Sequence, residues 1–447
     1  MIGQQNQKQG GQMTAEAYDV AARAKFRSAS LFARVKAVAG AGIGNVLEWY
    51  DFTVYAYLAG ILGTKFFVAG DENTALLATF AVFGVGFVAR PLGGLLIGLF
   101  GDKYGRKPAL LLTFLMIACS TGLIGVLPTY ASVGIAAPIL LVLARLMQGL
   151  SAGGEWGGAA SFLVEWAPAH RRGLYGSLHP CAITLGLLLG SGVTGGLTTT
   201  LGSAVMADWG WRIPFLVGAL IGPLGFYVRR NVDETPIFKR AMLEPTSAVL
   251  ETFSMARTMV LAFAFPAVQS VVTYVFVSYF PTFTQKYAGL SPSAALWSTA
   301  LATLVMGLSC LASGWVSDRT GRRFNMIAAC GLLILLSYPL LSLALSSASI
   351  WKVILTQSVF TALCGLFLGS MPAALVEMFP TKRRLTGLTT AYNLQSMMFG
   401  GFAPFIASWL ITQTGAPISL SYFIIFSAFV SGAALLLMPE TARKELD

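Results

Sequence analysis

Four ionisable side chains stand inside long apolar stretches of this chain: Glu48 and Asp51 in one, Arg90 in the next, and Arg145 in a later one. Burying such charge in hydrocarbon is costly, so each group must face a partner or a cavity. If the first stretch is helical, Glu48 and Asp51 lie about 15–20 Å from its start at ~1.5 Å per residue. Arg90 lies twelve residues before Asp102, which sets it at similar depth, and Arg145 is central in its own stretch. Two acids and two arginines at one level form a coupled set. Protonating a carboxylate frees an arginine for an anion, and a bound anion raises the carboxylate's affinity for a proton. The arginine fork favours a carboxylate ligand. Static salt bridges are the alternative reading, although buried pairs stabilise weakly.

Other polar groups sit in the same apolar surroundings. Tyr55 shares a helical face with Glu48 at i+7. His179, beside Pro180, lies early in its stretch, where it either lines a cavity or packs at a helix interface. Gln148, Gln269, Tyr274, Asn393 and Gln395 bond either a ligand or a neighbouring helix. Glu155 is a cavity acid or an interface partner. There is no Walker A loop and no strand-to-helix turn of the kind a nucleophile elbow needs, so neither ATP drive nor hydrolysis is supported. The five cysteines show no metal-ligand spacing and read as small apolar filler. No metal and no organic cofactor is expected.

The elements holding these residues follow from composition. Of 447 residues, 55% are hydrophobic and 11% charged, against about 25% charged in soluble proteins. An outer surface this poor in charge must face lipid. Twelve apolar segments can be drawn, at about 38–68, 75–99, 108–128, 134–166, 174–201, 212–230, 258–285, 293–316, 325–346, 351–378, 386–414 and 418–438. Of the 30 Lys and Arg residues, 24 fall in the N-terminal tail, the even-to-odd loops and the C-terminal tail. Lys65, Arg212, Lys286 and Lys352 fall on the other side, and Arg90 and Arg145 inside spans. Cytoplasmic loops are enriched in Lys and Arg, so both termini are expected in the cytoplasm. The net charge of +11 is therefore a topology signal, not a nucleic-acid footprint. The first 37 residues read as a polar tail with a short amphipathic helix near 15–36. Trp156, Trp209, Trp211 and Trp297 read as belt residues at the membrane interface.

The sequence repeats. Gly98-Leu-Phe-Gly-Asp102-Lys103-Tyr-Gly105-Arg106-Lys107 follows the second span, and Gly314-Trp-Val-Ser-Asp318-Arg319-Thr-Gly321-Arg322-Arg323 follows the eighth, 216 residues on. Glu165-Trp-Ala-Pro168 with Arg171 and Arg172 recurs as Glu377-Met-Phe-Pro380 with Arg383 and Arg384, 212 residues on. Two motifs at nearly one offset imply two parallel six-span halves with a site between them at mid-membrane. The glycines permit a tight turn. Asp102 and Asp318 can accept backbone N–H groups at a helix N-terminus, and Glu165 and Glu377 can pair with nearby arginines. Asp102, Arg106, Glu165, Asp318, Arg322 and Glu377 are thus candidate gating residues, since a rocking mechanism needs breakable contacts at this face.

The duplicated G-x-x-x-D-[RK]-x-G-[RK]-[RK] loop resembles the signature of the major facilitator superfamily, over about residues 38–440. Glu48-Trp-Tyr-Asp51-Phe, Arg90-Pro91-Leu-Gly-Gly, Gln148-Gly149 through Gly154-Glu155-Trp156, Trp209-Gly-Trp-Arg-Ile-Pro214-Phe and Tyr392-Asn393-Leu resemble its metabolite:proton symporters. The sugar porters' P-E-S-P-R motif reads Asp233-Glu234-Thr235-Pro236 here, and Ser191 stands where drug antiporters place proline. The resemblance implies an all-α membrane protein of twelve transmembrane helices in two pseudo-symmetric six-helix bundles. The divisions are a tail (1–37), first bundle (38–230), linker (231–257), second bundle (258–438) and C-terminal tail (439–447). It implies a monomer in a bacterial inner membrane that imports an organic acid with protons by alternating access. Glu48 and Asp51 would carry the proton, with Asp51 and Arg145 matching the acid and arginine that serve this role in related porters. Tyr55, Arg90, Arg145, Gln148, His179, Tyr274 and Asn393 would contact substrate. Proton symport of a zwitterion such as proline or betaine, export, and a non-transporting sensor are the alternatives.

Overall fold

The computed structural model describes residues 31–67, 72–104, 106–230, 252–379 and 384–442. The expected amphipathic helix near 15–36 lies mostly outside them, as do linker residues 231–251 and the last five residues. The described residues form twelve rods, and no strand interrupts them. This is the architecture that hydrocarbon demands, because a helix satisfies its own backbone polar groups.

In the first half, α1 runs Leu31–Tyr57 and continues as Ala59–Phe66; α2 is Glu72–Tyr104 and α3 Arg106–Val126. Two pieces, Ala136–Ala152 and Glu155–Trp166, make α4; α5 is Arg172–Val205 and α6 Arg212–Arg230. In the second half, α7 comprises Thr252–Ala264, Ala267–Thr273, Tyr274–Tyr279 and Phe280–Tyr287; α8 is Pro292–Thr320 and α9 Arg322–Leu345. Ile350–Leu368 and Met371–Met378 make α10; Arg384–Gln395, Ser396–Gly401 and Ala403–Thr414 make α11; Leu420–Leu437 is α12. Among the described residues nine helices are long and apolar enough to cross a membrane, and Leu112–Val126 of α3 is a shorter apolar helix.

Local sequence sets several boundaries. The start of α8 is fixed by Ser291, whose hydroxyl accepts the Ala294 N–H 3.3 Å away, and by Pro292 in its first turn. The turn into α9 needs Gly321 at φ 95°, a conformation that side-chain-bearing residues disfavour. Gly202, at φ 80°, kinks the end of α5 where the expected span stops at 201. Among the described residues α1 is helical from Leu31 and α7 from Thr252.

The duplication extends into the packing. Gly149 and Gly153 of α4 lie against the α2 backbone at Gly86 and Arg90, so close that a Cβ on either would overlap a carbonyl oxygen. At the motif offset of 216, Gly365 and Gly369 of α10 lie in the same way against Met306 and Cys310 of α8. Small residues let membrane helices approach at backbone distance. The two halves meet along α5–α8 and α2–α11. At α5–α8 a Cβ on Gly314 would come within 2.6 Å of Ser177, and at α2–α11 one on Gly84 would meet Phe402 at 2.6 Å.

Two tryptophans read as membrane-belt residues are core residues instead. Trp211 is fully buried against Phe66 and Phe215, with the Arg212 guanidinium over its ring at 4.3 Å. Trp156 is buried between the halves. Trp209 and Trp297 are half exposed. Hydropathy alone marks an indole near a span end as a belt residue, whereas the neighbouring helices decide whether it is covered.

Candidate functional site

The glycine crossing of α2 and α4 sets two arginines side by side. Arg90 points to α1, where its Nη2 donates to Glu48 Oε1 at 2.8 Å, both residues buried. Its guanidinium also lies over the rings of Phe52 and Phe87, at 4.7 and 4.3 Å. Such faces stabilise a desolvated cation by about 2 kcal/mol. Arg145 is fully buried, with the rings of Tyr55, Phe52 and Phe83 at 4.4, 4.5 and 5.0 Å. Its Nη1 donates to Gln148 Oε1 at 2.7 Å and its Nη2 to the Phe83 carbonyl at 3.2 Å. Gln148 Nε2 then donates to Asp51 Oδ2 and, at 3.3 Å, to Thr121 Oγ1.

The four charges therefore form two linked but unlike units. Glu48–Arg90 is a direct ion pair. Asp51 and Arg145 communicate through Gln148, whose amide accepts from the arginine and donates to the acid. Gln148 thus serves as the bridge inside the first half, engaged on both its polar atoms. All these groups belong to the first half. At the crossing, Arg145 and Gln148 correspond to Thr361 and Cys364, and Arg90, against Gly153, corresponds to Cys310, against Gly369; all three counterparts are buried and uncharged.

The ion pair faces the second half. Tyr274 of α7 stacks on Trp49 (centroids 5.5 Å) and meets Phe87 edge-on at 5.1 Å. Tyr274 and Tyr392 lie within electrostatic range of Arg90 and Glu48. Tyr392 stacks on Trp156 at 3.8 Å, and Trp156 meets His179 edge-on at 4.9 Å. Asn393 Nδ2 donates across the halves to the Gly153 carbonyl at 2.7 Å. Several buried polar atoms here have no hydrogen-bond partner: Asn393 Oδ1, Trp49 Nε1, Trp156 Nε1 and both His179 ring nitrogens. Unsatisfied buried groups are costly and call for an explanation; a ligand between the halves would provide one. Tyr55 instead donates to the Thr79 carbonyl at 3.2 Å, within the first half.

At the basic end, Asp318 of α8 reaches across the halves to the N-terminus of α5. Its Oδ1 accepts the Gly173 N–H at 2.7 Å and its Oδ2 the Leu174 N–H at 3.0 Å. Arg322 Nη1 donates to Asp318 at 2.9 Å and its Nη2 to Glu377 at 3.0 Å. Glu377 therefore pairs with the arginine of the other motif; Arg383 lies outside the described residues. The chain of contacts continues beyond the last span, which sequence reasoning missed. Thr441 Oγ1 donates to Glu377 at 2.9 Å, and Glu440 accepts the N–H groups of Arg322, Arg323, Thr441 and Ala442 at 2.9–3.1 Å. Burial alone would push the Glu440 carboxyl up, but these four N–H donors hold it below its ordinary value of 4.5. The signal available in the sequence was an acid directly after Pro439 at the close of α12. The side chains of Asp102, Arg106 and Glu165 lie outside the described residues. At the opposite end the halves touch through Trp297 Nε1 donating to Thr199 at 3.1 Å, Thr199 on Ser293 at 2.6 Å, and Lys286 on Asn73.

Residues 41–370 match the family model of the Major Facilitator Superfamily. The chain belongs to this superfamily. It is 35% identical over 428 residues to the ectoine/proline transporter ProP of Corynebacterium glutamicum, covering 92% of this chain and 85% of that protein. It is 34% identical over 398 residues to the citrate-proton symporter of Klebsiella pneumoniae, covering 89% and 90%. A crystal structure of a D-xylose-proton symporter superposes with a TM-score of 0.72 at 20% identity, covering 92% of this chain and 99% of that one, a likeness of fold. Within the superfamily the chain is a metabolite:proton symporter homologue. It is an integral membrane transporter of small molecules, not an enzyme.

Proposed function

We propose that this protein is a proton-coupled symporter that imports a small organic acid, a di- or tricarboxylate such as citrate or 2-oxoglutarate. It works by alternating access in a bacterial inner membrane, as a monomer, with the basic end and both termini in the cytoplasm. The observation that carries the reading is the buried Glu48–Arg90 pair facing the second half beside the Asp51–Gln148–Arg145 chain. Protonating Glu48 removes Arg90's counter-charge and leaves a desolvated guanidinium, which a substrate carboxylate can satisfy bidentately. Protonating Asp51 relaxes Gln148 and with it Arg145, so charge state and helix packing in the first half change together. The contacts around Asp318 and Arg322 keep the basic end shut and must break for release inward. Protons serve as coupling ion, and no cofactor is called for.

Import of a zwitterion is the second reading. The paired stacks Trp49–Tyr274 and Trp156–Tyr392 offer aromatic faces to a cationic head beside an arginine for its carboxylate. The relative from Corynebacterium glutamicum is named for ectoine and proline. Uptake into proteoliposomes of labelled citrate, 2-oxoglutarate, succinate, proline and betaine, under an inward proton gradient with and without uncoupler, decides. The expected result is uncoupler-sensitive accumulation of a di- or tricarboxylate, lost in Asp51→Asn and Arg145→Ala. Accumulation of proline or betaine alone favours the second reading. Accumulation that ignores the gradient for every solute rejects proton coupling.

A further inference from the structure

Asp51 shows two different faces. Its Oδ2 is taken by Gln148 Nε2, whereas its Oδ1 is buried with no hydrogen-bond partner. Asp51 lines a cleft between α1, α3 and α6, away from the contact between the halves. Phe114, Ile117 and Ala118 form its α3 wall. On the α6 side stand Gly218 and Gly222, which bring no side chain into the space. The cleft is the size of a single water molecule. Its polar lining is Asp51 and Thr121. Thr121 Oγ1 donates to the Ile117 carbonyl at 2.8 Å and accepts from Gln148 Nε2 at 3.3 Å, which leaves one lone pair for an incoming donor. A water here has two polar partners, the minimum a buried water needs.

We propose that one water, held between Asp51 Oδ1 and Thr121 Oγ1 in this cleft, is the immediate proton donor and acceptor of Asp51. The proton thereby enters and leaves on the α3–α6 side, while substrate is handled on the side facing the second half. A hydronium at the site transfers one proton to Oδ1 and remains as water; release reverses the step. The groups facing Asp51 are consistent with this division. From α4 come Arg145 and Gln148, which hold the other oxygen; from α3 comes Thr121. From α1 comes Tyr50, whose hydroxyl is committed to the Pro214 carbonyl at 2.7 Å. The α6 wall presents Gly218 and Gly222, with no titratable group. Oδ1 is therefore the carboxylate atom left for a proton, and the cleft is the space that Asp51 lines.

The inference rests on Asp51 being the proton-coupling acid, and the test separates the two claims. The full chain in lipid nanodiscs is moved from H2O to D2O, and the infrared carboxyl band absent from Asp51→Asn is followed in time. Ala118→Leu fills the cleft, and Thr121→Val removes the hydroxyl at constant shape. Each is expected to slow exchange of that band at least about tenfold, equivalent to about 1.4 kcal/mol of added barrier. Thr121→Ser, which restores the hydroxyl, is expected to return the rate to within about threefold of the wild type. A purely structural role for Thr121 would shift the band without slowing its exchange. Wild-type exchange rates in Ala118→Leu and Thr121→Val would overturn the water site while leaving Asp51 as coupling acid. If Ala118→Leu does not fold, the Thr121→Val and Thr121→Ser pair decides alone. Proton-driven uptake that survives Asp51→Asn sinks the reading of Asp51, and the water site with it.

Discussion

Replacing Asp318 with Asn perturbs the contact that joins the halves at the basic end while keeping the side chain's shape. The carboxylate accepts two backbone N–H groups from the start of α5 and one N–H from Arg322, and its side chain is 10% exposed. Hydrogen bonds to a charged group contribute about 1.5–3 kcal/mol each, and the helix N-terminus adds about 0.3–1 kcal/mol for a negative charge. The asparagine keeps one acceptor and presents an NH2 group to the other donor, so at least one N–H loses its partner and the charge is gone. Water replaces part of this once the halves separate. The net loss in the closed state is therefore about 3 kcal/mol, a shift of roughly 150-fold toward opening at the basic end. The assay is alkylation of a cysteine at Ser177, buried where α5 crosses Gly314, in a background without the five native cysteines. Maleimide labelling of the Asp318→Asn, Ser177→Cys variant should run at least about tenfold faster than that of Ser177→Cys alone. Equal labelling rates would refute the reasoning, because the hydrogen bonds to α5 would then carry no part of the closed state.

Three further outcomes are expected. Arg90→Met removes the cation of the buried Glu48–Arg90 pair and should destabilise the protein by about 3–5 kcal/mol, whereas Glu48→Gln with Arg90→Met should recover most of that; thermal unfolding in detergent compares the two. Gly153→Val puts a branched side chain onto the Arg90 carbonyl and should cost about 1–3 kcal/mol or block assembly of α2 on α4, visible as lost monodisperse yield on size exclusion. Glu440's folded pKa is depressed below 4.5, so its stabilising contribution is present above 4.5 and is lost as pH falls through the lower folded value. Wild type should therefore melt above Glu440→Gln at pH 7, with the gap closing on acidification below pH 4.5; a gap independent of pH would contradict this.

The sequence by itself determined the elements and their repeat. Apolar runs of span length required helices, because hydrocarbon leaves no other partner for backbone N–H and C=O groups. The signature loops 216 residues apart, around Asp102 and Asp318, required two like halves. Burial of Glu48, Asp51, Arg90 and Arg145 followed from their place in those runs. Partner choice was decided by the tertiary structure. Helical period tells which face a residue occupies, but the depth and rotation of one helix against another follow from contacts remote in sequence. The approach of α1 to α2 and α4 is one such contact, and it sets Glu48 on Arg90 and Asp51 on Gln148. For the same reason Glu377 pairs with Arg322, Trp211 is covered by Phe66 and Phe215, and Glu440 folds back onto the start of α9. The open oxygen of Asp51 belongs to this second class. Nothing in its neighbours along the chain shows that Gln148 takes one oxygen of the carboxylate and that Asp51 shares a cleft with Gly218 and Gly222 of α6.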